Sequence, residues 1–145
     1  MTISMKVVNK SAFNNKINKQ SKDVQKNLVR AVRIATTETR NVAVTSIVSN
    51  PRGGSTETRY NPTRTIRVSK AGDPPAGDTG FLASNIHLSI SSDGLSGEVE
   101  SRAEYSAFLE FGTIDMAARP FLQPALEQGK QKYKRMFSKS VKDGI

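Results

Sequence analysis

The chain has no cysteine and no tryptophan among its 145 residues. Without a thiol it can form no disulfide, run no thiolate chemistry and build no cysteine-based zinc or iron–sulfur site. Its single histidine, His87, falls on the polar side of a predicted strand, where a solvated imidazole is the simplest reading. A transition metal would therefore find almost no nitrogen or sulfur ligands. Aromatic residues make up 6% and hydrophobic residues 36%, which implies a modest core and apolar surface that is buried only in an assembly. Long apolar runs are missing too. No stretch of about 18 apolar residues could cross a bilayer, and the opening MTISMKVVNKSAF lacks the apolar segment of a signal peptide. The expectation is a soluble product of the cytoplasm without membrane contact. Neither a glycine-rich phosphate loop nor a Gly-x-Ser-x-Gly elbow occurs. Asp73 and Asp78 sit among prolines and glycines, where they read as turn formers and not as cation ligands. No enzyme activity, cofactor or metal is expected.

What the chain does have is positive charge, +9 from 22 basic and 13 acidic residues. The charge is uneven: residues 1–50 hold nine basic and two acidic side chains, 51–100 five and six, and 101–145 eight and five. A field of this kind attracts nucleic acid or an acidic protein ring, and composition does not choose between them.

The length predicts one domain spanning residues 1–145. Residues 2–9 alternate as a half-buried edge strand does, with Ile3, Met5 and Val7 on one side. From Ser21 to Ser49, Val24, Leu28, Val32, Ala35, Val42 and Ile47 recur near helical spacing, with Ser21 as N-cap and Asp23 favourable in the first turn. Asn50-Pro51 stops that helix. Residues 51–80 contain four of the six prolines and read as a mobile loop or arm, with one strand at Thr63–Ser69. Asn85–Ser91 and Gly97–Ser101 form a hairpin around Asp93-Gly94, with Ile86, Leu88, Ile90 and Val99 inward. Ala103–Phe111 is a short helix ending at Gly112, and a last helix runs from Pro120 to Val141. The class predicted is α+β: a long N-terminal and a C-terminal helix packed on a small, mainly antiparallel sheet, with an extended loop or β-arm.

The segment YSAFLEFGTIDMAARPF, Tyr105 to Phe121, carries specific aromatic, glycine and proline positions but nothing suited to chemistry. Upstream stand Gly72-Asp73-Pro74-Pro75 and Thr79-Gly80-Phe81-Leu82-Ala83-Ser84-Asn85-Ile86. Together these two ordered motifs resemble the head-tail joining, or tail-completion (neck), family of long-tailed double-stranded DNA bacteriophages, at motif level over residues 72–126. The stretch 50–71 is longer than that resemblance leads one to expect. What the resemblance implies is a structural virion protein that joins the head connector to the tail, or completes the head-proximal end of the tail. It would do so as a homo-oligomeric ring, often a hexamer, around the DNA channel and beside neighbouring head-completion and tail proteins, in a virion assembled in the host cytoplasm.

Taken alone, Tyr105, Phe108 and Phe111 are most simply core packing of a short helix against the sheet; the functional reading is a subunit interface. Glu110 needs a partner if buried, and Arg119 after the turn is the nearest candidate, as a clamp within one subunit or, less favoured, a contact to the next. Gly80 and Gly112 suit positive φ or a close backbone approach. Pro120-Phe121 reads as a helix start with an aromatic anchor, which the resemblance makes a candidate assembly surface. The candidate interface therefore comprises Tyr105, Phe108, Glu110, Phe111, Gly112, Thr113, Arg119, Pro120 and Phe121. Arg52, Arg59, Arg64, Arg67 and Lys70, with Tyr60 among them, are candidate contacts to channel DNA or an acidic partner. Lys22, Lys26, Arg30 and Arg33 form a basic stripe on the first helix, and Lys130, Lys132, Lys134 and Arg135 add to it on the last. The alternative function is a basic, non-specific DNA-binding protein acting without a ring, whose binding falls steeply with salt.

Overall fold

The computed structural model describes residues 1–6, 22–50 and 53–142. The order of elements is β1 (Thr2–Lys6), α1 (Lys22–Val48), β2 (Thr56–Arg59), β3 (Arg64–Arg67), α2 (Phe81–Ser84), β4 (Ile86–Ile90), β5 (Ser96–Ser101), α3 (Ser106–Phe111) and α4 (Leu122–Lys142). This is the expected α+β class. The expected N-cap Ser21, Val7 and Arg52 lie outside the described residues.

Helix α1 is long because its apolar side chains keep helical period over seven turns. Val24, Leu28, Ala31, Val32, Ala35, Thr36, Thr39, Ala43 and Ile47 are buried in one stripe, while Lys22, Lys26, Arg30 and Arg33 stay exposed. The buried threonines do not break the stripe, because the Thr36 hydroxyl donates to the Val32 carbonyl at 2.8 Å and the Thr39 hydroxyl to the Tyr133 hydroxyl at 3.2 Å. The second of these joins α1 to α4, and Lys132 on α4 pairs with Glu38 on α1 at 2.7 Å.

The sheet runs β1-β5-β4, antiparallel throughout. Its register places Ile3, Val99 and Leu88 in one cross-strand row and Thr2, Glu100 and His87 in the next, so one face is apolar and the other polar. The apolar face meets α1 at Gly97, where an added Cβ would overlap the Thr36 side chain. Val99 is fully buried, but Leu88, expected inward, is 40% exposed because it lies on the edge strand β4. One cluster joins Ala43 and Ile47 of α1, Ile86 and Val99 of the sheet, Phe121, and Leu122 and Ala125 of α4. A second joins Val24, Leu28 and Leu95, with Phe137 and Val141 packed against it. The hairpin turn is held as its sequence predicts, with the Asp93 carboxylate accepting from the Leu95 amide at 3.0 Å and Gly94 at φ 70°.

The 51–80 region departs from expectation in one respect. It contains two strands, not one: β2 and β3 form a separate two-stranded ladder from Thr56↔Arg67 to Arg59↔Arg64. Thr56-Glu57-Thr58-Arg59 carries no strand signal in the sequence because it has no apolar residue to alternate; all four residues are exposed. The last helix begins at Leu122, two residues after Pro120.

Candidate interaction surface

Helix α3 is one and a half turns long, too short to hold itself together by hydrogen bonding alone. It is anchored by a buried carboxylate. Glu110, 5% exposed, accepts from the backbone amides of Phe121 at 2.8 Å and Leu122 at 3.1 Å through Oε2, and of Gln123 at 2.8 Å through Oε1. These are the donors at the start of α4 that no intrahelical carbonyl satisfies, and the negative charge lies at the positive end of the helix dipole. A remote glutamate therefore caps α4. The expected pairing with Arg119 is not made, because three converging amides already fill the carboxylate. Arg119 is held instead by its main chain, whose amide donates to the Leu109 carbonyl at 2.6 Å.

Between α3 and α4 the chain turns back on itself. Gly112 has φ 76°, as anticipated, and a Cβ there would approach the Met116 carbonyl oxygen to 2.7 Å and the Ala118 amide nitrogen to 2.8 Å. The Gly112 amide closes α3 by donating to Phe108, and Thr113 and Met116 bond each other across the loop. Ala118 accepts from the Gly72 amide at 2.9 Å, which ties the first motif to the second. Gly80 likewise has φ 78°.

With Glu110 and Ser106 turned inward, the other side of α3 faces out. Tyr105, Phe108 and Phe111 are 42%, 58% and 70% exposed, and Ile114 is fully exposed. The core-packing reading of these aromatics is thus corrected: Ser106, Glu110 and the partly buried Leu109 take the inward positions of α3, and the aromatics project. Phe81 of α2, 52% exposed, extends the ridge, its ring centroid 6.3 Å from that of Tyr105. Partial burial there pushes the Tyr105 phenol above its ordinary pKa. These five side chains present on the order of 500 Å² of apolar surface, the size of the largest apolar patch on an ordinary monomer, which is often functional. Phe121, expected with them, is enclosed at 1% exposure, because α4 carries it into the core. Pro120 and Arg119 are half-buried.

The basic arm is partly neutralised. Arg59 pairs with Glu57 at 3.1 Å and Arg64 with Asp78 at 2.6 Å; Arg67 and Lys70 are exposed. A cleft of about 430 Å³ opens between the base of the arm, the 75–78 loop and the 115–119 segment. Arg119 lines it, and its Nε is buried with no hydrogen-bond partner among the described residues. No group of His, Asp and Glu side chains able to hold a metal occurs among the described residues, and no described helix is long and apolar enough to cross a membrane. The exposed ridge is a surface suited to binding a protein.

A family model covering residues 11–112, more than half of the chain, decides the kinship. The chain belongs to the HK97-gp10-like family. That family is described as bacteriophage HK97-gp10, putative tail-component. Membership supports a structural role in the phage virion, consistent with the head-tail resemblance of the two motifs. The HK97-gp10-like match takes in α1, the arm, strands β4 and β5, and α3; β1, Ile114 of the ridge and α4 lie outside it. No curated protein and no solved structure matches the chain.

Proposed function

We propose that this protein forms part of the phage neck, joining the head connector to the tail or completing the head-proximal end of the tail as a ring around the DNA channel. The observation that carries this reading is the exposed ridge Phe81, Tyr105, Phe108, Phe111 and Ile114, set on a helix pinned by Glu110 to the start of α4. An apolar ridge held rigidly and left uncovered in one chain is suited to burial against another protein. The family's description as a tail component gives that protein its setting, and the motifs that resemble the neck family lie in and beside the ridge.

A ring requires two different patches on each subunit that match each other. The ridge is one. The exposed stripe Lys22, Lys26, Arg30 and Arg33 is the side suited to face channel DNA, since it offers cations at spacing that tracks a polyanion without selecting sequence. Stand-alone DNA binding through the arm is the weaker reading, because Arg59 and Arg64 are already paired with carboxylates.

The test is electron microscopy of lysates from the source phage with this gene disrupted. DNA-filled heads separated from tails are expected. Intact, infectious virions would overturn the neck role.

A further inference from the structure

The ridge needs a complementary surface, and Arg119 needs an anion. A guanidinium is always charged and carries five donors, and a buried donor without an acceptor is costly to keep. Arg119 makes no ion pair among the described residues, its Nε is buried, and it lines a cleft where Ile66, Val68, Pro75, Leu109 and Met116 alternate with charged side chains, of which Glu57 and Asp78 are already paired with Arg59 and Arg64. That combination, apolar side chains beside an unmet cation, suits a large hydrophobic side chain accompanied by a carboxylate. Duplex DNA fits it poorly, because a cleft of about 430 Å³ has room for a side chain and not for a duplex.

The chain itself displays that combination elsewhere. Glu104 is exposed, makes no ion pair among the described residues, and immediately precedes the ridge at Tyr105 and Phe108. Leu109 of the same helix lines the cleft while Phe108 and Phe111 are exposed outside its lining, so knob and hole are different patches. Contacts between different patches propagate head to tail and can close into a ring. We infer that the cleft receives the Tyr105–Phe108 ridge of a second copy of this chain, with the neighbour's Glu104 carboxylate on Arg119. This rests on the ring reading above and names its contact.

The experiment is a charge swap in the full-length protein, read as self-association over a concentration series by sedimentation velocity and mass photometry, with circular dichroism to verify folding. The wild type should associate. Glu104→Arg and Arg119→Glu should each weaken association by at least about tenfold, and the double variant should recover most of it, because opposite charges at a desolvated contact are strongly coupled. Glu104 is exposed, so its variant keeps the fold and decides the matter even where Arg119→Glu does not fold. In that case Arg119→Lys, which keeps the charge but loses the Nε donor, should weaken association about fivefold. A wild type that stays monomeric, a Glu104→Arg variant that associates normally, or a folded double variant no better than the single ones would overturn the contact. Gene disruption that separates heads from tails would leave the neck role standing in each of those cases.

Discussion

Glu110 and Phe121 are eleven residues apart, and the carboxylate of the first accepts the backbone amide of the second at 2.8 Å. The same side chain takes the amides of Leu122 and Gln123, so one residue fixes the angle between α3 and α4 and thereby the direction in which the ridge points.

Removing it should be costly. Glu110→Ala leaves three helix-terminal donors without their acceptor in a buried site, and a loss of about 3 kcal/mol in unfolding free energy is expected. Glu110→Gln, which retains one acceptor oxygen but no charge, should lose about half as much. Urea unfolding of both variants measures this; equal stability of Glu110→Ala and wild type would show that the cap contributes nothing.

Gly97 marks where α1 crosses the sheet. Because an added Cβ would overlap Thr36, Gly97→Ala should destabilise by about 2 kcal/mol or more, as overpacking of a tight contact does. Thr36→Ala in the same chain should restore part of the loss, the sign of direct coupling in a double-mutant cycle. Strictly additive effects would place the strain elsewhere.

How much of this was legible beforehand differs by element. The long helix, the β4–β5 hairpin and the last helix declared themselves through periodicity and turn residues, because their buried apolar positions recur at the period of their own element. Strand β2 did not, since Thr56-Glu57-Thr58-Arg59 buries nothing and its pairing with β3 is a matter of backbone alone. The ridge was found as a motif but misread in its simplest interpretation. Aromatics at Tyr105, Phe108 and Phe111 imply core by composition, and only the inward-facing Ser106 and Glu110 reveal the helix as turned polar-side-in. That inversion could have been suspected from Glu110, whose carboxylate among apolar neighbours demanded a partner. The partner was a helix terminus, which has no side-chain signature to read. Arg119 looked paired for the same reason and is not.

Gly129 lies within α4, where alanine ordinarily gains about 1 kcal/mol in helix propensity. Here the expected sign is reversed. A Cβ at Gly129 would overlap the ring of Tyr133 one turn later, and that ring is 4% exposed and receives the Thr39 hydroxyl. Gly129→Ala should therefore lower stability by about 1 kcal/mol or more, with a fall in melting temperature measurable by calorimetry. A stabilised variant would mean that the ring swings aside freely.

The ridge separates stability from assembly. Phe108, Phe111 and Ile114 are 58%, 70% and 104% exposed, so their side chains add little to the folded state of a single chain. Replacing all three by serine should leave the unfolding free energy within about 1 kcal/mol of wild type, since exposed substitutions away from caps and cores rarely do more. Self-association should nevertheless fall sharply, because the same side chains are the large apolar groups that dominate a protein contact. Phe121→Ser is the control with the opposite profile: the side chain is 1% exposed in the core beside Leu122 and Ala125, and its loss should cost about 3–5 kcal/mol whether or not the protein assembles. Urea unfolding and sedimentation on the same samples distinguish the two. If the triple serine variant unfolds as readily as Phe121→Ser, the ridge is part of the fold after all; if it is stable and still assembles, the subunit contact lies on another face.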